Sequence, residues 1–155
     1  MSTGLVLFIA GHLSRWRNRF SRSNPEHLRL GVHGEKLAGR FLRRNRFKIL
    51  YRNFRGRHGG EIDLVCRDGD TLVFVEVKTR TREDFGRPLE AVNRQKQRRI
   101  SLGAFAWLRL LGNPDILFRF DVVEVIVSED APPRIELIRS AFQLPEPYIY
   151  STAPI

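Results

Sequence analysis

The chain has 155 residues, 42% of them hydrophobic, which suits one compact domain with its own core and excludes a disordered polymer. Cys66 is the single cysteine and no Cys/His group has zinc-finger spacing, so disulfide and zinc-finger scaffolds are excluded and a reducing, cytoplasmic setting is expected. The net charge of +10 is uneven: residues 1–57 hold 14 Lys and Arg against 2 Asp and Glu, while the remainder holds 13 against 15. A polyanion, DNA before all others, is the expected partner, and an anionic membrane surface would be drawn by the same charge.

In chain order, GLVLFIAGHL is too short to span a bilayer and has no basic segment before it, so a transmembrane helix and a standard signal peptide are not expected. Residues 1–24 read either as a basic arm or as a basic amphipathic helix, since Leu5, Ile9, Leu13, Trp16 and Phe20 recur at helical spacing. From Asn24 a helix is predicted to about Arg44, with Asn24 as N-cap, Pro25 at the first position and Glu26 at the positive end of the dipole. Leu28, Val32, Glu35, Ala38 and Leu42 form its inward stripe.

FKILYRNFR reads as a strand, and Gly59 to Arg80 as two more strands joined at RDGDT. Pro88 opens a second predicted helix, which ends at Gly112, Asn113 and Pro114. The β-branched and aromatic run ILFRFDVVEVIV is a strand, and RIELI adds a short edge strand. The expected organisation is an arm over 1–24, one domain over 25–142 and a tail over 143–155.

The hairpin carries the chemistry. Asp63, Glu76 and Lys78 stand among Ile, Leu, Val and Phe, where an unpaired charge is costly. Glu76 and Lys78 share a strand face because side chains alternate with period two. A loop over Asp68–Thr71 flanked by Arg67 and Leu72 sets Asp63 opposite Glu76. A two-residue Asp68–Gly69 loop makes them a diagonal pair, and either arrangement brings the Cβ atoms within about 8 Å. A bulged register, shifted by one residue, turns Asp63 to the other face instead. With Glu35 on the inward side of the first helix, the acids make an oxygen-ligand site suited to Mg²⁺ or Mn²⁺, and phosphodiester hydrolysis is the chemistry such a site supports. The competing reading is a hairpin with surface cross-strand ion pairs, each of small value.

Arg43, Arg44 and Arg46, with Arg80, Arg82, Arg87, Arg94, Arg98 and Arg99, are the expected basic rim for a nucleic-acid backbone. Lys96 admits two readings: a lysine whose stem covers the core edge, or a DNA contact. Cys66 faces away from Asp63 and is expected in the core, and Asp121 is expected in a structural ion pair.

The runs GEKLAGRFLRRN, RNFRGRHGGEIDLVCRDGDTLVFVEVKTR, FGRPLEAVNRQKQRRI and RFDVVEV, in this order, resemble the YraN-like family of uncharacterised bacterial proteins. That family is regarded as a group of predicted endonucleases with the restriction-endonuclease-like PD-(D/E)xK fold, distantly similar to archaeal Holliday junction resolvases. The resemblance runs from about Leu30 to Phe142. It implies an α/β fold, an αβββαβ core with a mixed central sheet flanked by helices. It further implies one or two metal ions on Asp63 and Glu76 with the Val77 carbonyl as a further ligand, Lys78 at the attacked phosphate and Glu35 as the helical acid. Ile62 stands where the motif's name has proline.

Overall fold

A computed structural model describes residues 25–81 and 92–144. The expectations for residues 1–24, for Arg82, Arg87 and Pro88, and for the tail beyond residue 144 lie outside the described residues.

Helix α1 (Pro25–Arg44) is followed by β1 (Lys48–Arg55), β2 (Glu61–Asp68) and β3 (Thr71–Thr81), then α2 (Arg94–Leu110), β4 (Phe118–Val127) and β5 (Arg134–Phe142). The five strands form one sheet in sequential order, antiparallel except for the parallel pair of β3 and β4, which α2 connects. This is the mixed, helix-flanked α/β architecture of a restriction-endonuclease-like core, extended by β5. β5 runs to Phe142 and is longer than the RIELI edge strand expected from the sequence.

Period-two alternation sends the strands' apolar residues to both sheet faces. Leu72, Phe74, Val122 and Ile62 pack with Ile100, Ala104 and Trp107 of α2 on one face. Val73, Val75, Leu64 and Cys66 pack with Ala38 and Leu42 of α1 on the other.

Two expectations about the helices are corrected. Leu28 and Val32 are 41% and 46% exposed, so the buried side of α1 begins only at Gly34. α2 starts at Arg94, so the helix expected through LEAVNRQKQ does not run unbroken across Val92 and Asn93: the Asn93 side chain caps α2 by accepting from the Lys96 amide. Val92 is buried but precedes the helix.

Close approach of backbone fixes the β1–β2 connection. Gly60 has φ of 81°, and a Cβ there would collide with the Gly103 amide of α2. Only glycine suits both conditions, and the contact sets the start of β2 against the middle of α2.

Candidate active site

The hairpin register is the one that aligns Asp63 with Glu76. Asp68 pairs with Thr71 and Leu64 with Val75, so the turn is Gly69–Asp70, tighter than the expected four-residue loop but in the same register. The ladder ends at Leu64 and Val75. There the Asp63 carboxylate takes the place of a main-chain acceptor, its Oδ2 accepting the Val77 N–H at 2.8 Å.

Alternation breaks at the same level. Ile62 packs on the α2 face while Leu64 and Cys66 pack on the α1 face. In the neighbouring strand Tyr51 and Phe54, three apart, both pack on the α2 face, with Asn53 between them in a left-handed conformation of φ 52°. Paired irregularities of this kind re-aim side chains without ending the sheet. Here they occur beside the acids. Asn53 Nδ2 donates to Glu35 Oε2 at 2.9 Å, which ties the α1 acid to this bend.

Glu76 is 6% exposed, and its Oε2 is buried without a hydrogen-bond donor. The Asp63 carboxyl lies in hydrogen-bonding reach of Glu76, a bond that exists only if one of the two carries a proton. Burial, reinforced by the Asp63 charge, pushes Glu76 up to about 8, and burial also raises Asp63. Glu35 is raised by burial, with the Asp63 charge adding to the effect. This carboxyl cluster therefore retains a proton near neutrality, and Glu76 Oε2, which takes no N–H donor, suits either that proton or a cation in its place.

Lys96 supplies a cation from the protein itself. Its Nζ lies 2.9 Å from Glu61 Oε1 and 3.0 Å from Glu76 Oε1, and Arg99 Nη2 holds Glu61 Oε2 at 3.0 Å. Burial opposes the charge on Lys96, but Glu76, Glu61 and Asp63 hold the ammonium above its usual range. The sequence singled out Lys96 for other reasons and overlooked Glu61 and Asn53. Asparagine inside a strand was the available signal for a bend, because it is depleted there and tolerates left-handed backbone. Glu61 gave no such signal.

Lys78 is half-buried on the same face as Glu76, in unbroken register with Glu124 of β4. Asp63 and Glu76 thus come together, with Glu35 adjacent through Asn53, and Lys78 follows two positions along β3 on the Glu76 face. Among the described residues no three acidic, Cys or His side chains form a ready metal cage, so Glu35 does not complete one in this arrangement.

The basic rim is divided. Arg94 and Arg98 are exposed on α2 at the acidic end, and Arg99 is engaged with Glu61. Arg80 pairs with Glu124 at 3.1 Å. Arg43, Arg44 and Arg46 are exposed at or just beyond the C-terminal end of α1, and Arg43 lies about 12 Å along the helix from Glu35. Cys66 is buried, its thiol pushed up to about 12 by burial, which leaves it inert. Asp121 is fully buried, accepting from Arg119 Nε at 2.9 Å and from the Ser140 amide, the structural pairing expected of it. No helix among the described residues is long and apolar enough to cross a membrane.

The model of uncharacterised protein family UPF0102 matches residues 34–125, a span that contains Glu35, Asp63, Glu76, Lys78 and Lys96. The chain belongs to UPF0102, the YraN-like family. A UPF0102 protein of Geobacter sulfurreducens is 53% identical over 115 residues, covering 74% of this chain and 89% of the relative. One from Rhodococcus jostii is 50% identical over 115 residues, covering 74% and 97%. A third, from Symbiobacterium thermophilum, is 47% identical over 114 residues, covering 74% and 96%. The UPF0102 match ends within β4, so β5 lies outside it although β5 completes this sheet.

Proposed function

We propose that this UPF0102 protein is a metal-dependent nuclease that hydrolyses DNA phosphodiester bonds, with branched or structured DNA as its substrate class. The observation that carries the reading is the Asp63–Glu76 carboxyl pair, in which Glu76 is buried and has one oxygen with no donor from the protein. The fit to a hard divalent ion rests on oxygen donors and on that orphaned atom. Asp63, Glu76 and the Val77 carbonyl would hold Mg²⁺ or Mn²⁺, with Glu35, held on α1 by Asn53, as the neighbouring acid. Such an ion, when bound, lowers the pKa of coordinated water and offsets charge on the phosphate.

The chain's own residues supply the rest. Lys78 orients or helps deprotonate the attacking water and stabilises the negative charge that grows on the phosphoryl oxygens, a role suited to a compact point charge. Arg94 and Arg98, exposed at the same end, hold the backbone without reading sequence. No covalent intermediate is needed.

A second reading, a nucleic-acid-binding module with a vestigial site, is favoured by Lys96, which already neutralises Glu76, and by the missing third acid. Cleavage of duplex, flap, fork and four-way-junction DNA in Mg²⁺ and Mn²⁺ separates the two. Cleavage that disappears in Asp63→Asn establishes the nuclease. Tight binding to these DNAs with no cleavage in either metal establishes the binding module.

A further inference from the structure

We infer that Lys96 is an internal counter-cation of the carboxyl site: its ammonium occupies Glu76 in the metal-free protein, yields Glu76 to an incoming divalent ion, and is retained on Glu61. The inference rests on the metal-site reading above and adds to it a residue that controls occupancy.

The geometry gives Lys96 two seats. The inner one is Glu76 Oε1 at 3.0 Å, on a carboxyl that is 6% exposed. The outer one is Glu61 Oε1 at 2.9 Å. The outer seat is fixed independently of Lys96. Arg99 grips the other Glu61 oxygen at 3.0 Å, and the backbone just before Glu61 is set by the tight approach of Gly60 to Gly103. A lysine has four rotatable side-chain bonds and travels easily between neighbouring acceptors, whereas Glu76 projects from the middle of a paired strand.

Charge decides the direction of exchange. A divalent ion on Asp63 and Glu76 repels an ammonium that shares the Glu76 carboxylate, and in a poorly solvated site that repulsion is weakly screened. Lys96 therefore competes with the metal while on Glu76 and ceases to compete once it rests on Glu61 alone. Glu76 Oε2, without a donor even when Lys96 is seated on Oε1, is the atom open to the ion. The arrangement keeps the acids compensated before metal arrives, as buried charges require.

The test is calorimetric titration of the full-length protein with MnCl₂, for the wild type, Lys96→Gln, Glu61→Gln, the double variant and Asp63→Asn, with circular dichroism to verify folding. Lys96→Gln is expected to bind Mn²⁺ about tenfold tighter or better, because a like charge has been removed. Glu61→Gln is expected to bind it about threefold weaker or worse, because Lys96 loses its outer seat, and this penalty should shrink in the Lys96→Gln background. A gain in affinity is not what loss of a merely structural ion pair produces. If Asp63→Asn abolishes Mn²⁺ binding while Lys96→Gln binds no tighter than wild type, the inference is overturned and the metal site stands. If Asp63→Asn binds Mn²⁺ as the wild type does, the metal-site reading itself is overturned, and the inference with it. Should Lys96→Gln not fold, Lys96→Met and the Glu61→Gln titration carry the same comparison.

Discussion

Asn53 Nδ2 donates to Glu35 Oε2 at 2.9 Å, and Asn53 has the left-handed φ of 52° inside β1. One residue thus bends the edge strand and aims the helical acid. Asn53→Gly keeps the backbone conformation and removes the bond, whereas Asn53→Ala also strains the backbone by about 1 kcal/mol. Both variants are expected to lower Mn²⁺ affinity about threefold or more, about what one lost hydrogen bond is worth. Both should also lower the urea midpoint, Asn53→Gly through the lost bond and the freer unfolded chain and Asn53→Ala through the lost bond and the backbone strain. Unchanged Mn²⁺ affinity in Asn53→Gly would remove Glu35 from the site.

Lys78 is assigned to the chemistry and not to metal retention, so Lys78→Ala should separate the two. Mn²⁺ affinity is expected to stay within about threefold of wild type, while single-turnover cleavage falls about a hundredfold or more through lost transition-state stabilisation. Asp63→Asn and Glu76→Gln should instead lose both. Equal loss of affinity in Lys78→Ala would make it a structural partner of the acids.

Glu76 sets a pH dependence in the metal-free protein. Its carboxyl titrates near 8 in the folded chain against the ordinary 4.5, because it is buried beside Asp63. A raised folded value means that the contribution to stability is complete below pH 4.5 and is lost as pH rises toward 8. Glu76→Gln imitates the protonated carboxyl and removes that slope. In urea unfolding with EDTA, the variant should match wild type at pH 4.5 and exceed it at pH 8 by on the order of 2 kcal/mol. A constant difference across this window would assign the buried proton elsewhere.

Gly60 and Gly31 should respond oppositely to alanine. At Gly60 a Cβ meets the α2 backbone and the φ of 81° is unfavourable, so Gly60→Ala should cost about 2 kcal/mol or more. At Gly31, inside α1, a Cβ meets nothing within 4 Å, and Gly31→Ala should stabilise by about 0.5 to 1 kcal/mol through helix propensity. Thermal melts measure both. A neutral Gly60→Ala would mean that α2 does not seat on the β1–β2 connection.

Nucleic-acid affinity should fall steeply with salt, and the two arginine groups should share that dependence. Replacing Arg43, Arg44 and Arg46 by Gln should reduce the log–log salt slope by up to about 3, and replacing Arg94 and Arg98 by up to about 2. If only the α2 pair matters, DNA does not extend along α1. Binding that is equal at low and high salt would exclude a backbone-tracking mode.

Much of the site was legible because the rules that govern it are local. The Asp-Gly-Asp turn fixes the β2–β3 register, and period-two alternation then puts Glu76 and Lys78 on one face and aligns Asp63 with Glu76. Hydrophobic periodicity and turn residues likewise determined the αβββαβ order, and composition determined the basic character. Such features depend on residues a few positions apart, and steric alternation and turn geometry are the same in any fold.

Tertiary structure alone decided which surfaces meet. Glu61 and Lys96 are 35 positions apart, and nothing in either segment encodes that the β1–β2 glycines seat against α2 and bring those charges to 2.9 Å. The bond from Asn53 to Glu35 spans 18 positions and needs the bend in β1 to coincide with the approach of α1. Amphipathic spacing identified a face of α1, but how far that face continues depends on where the sheet ends, which is why Leu28 and Val32 are exposed while Ala38 and Leu42 are buried. Side-chain period fixes direction around an element. Burial and ion pairing require a second element at the right distance, and only the packed chain supplies it.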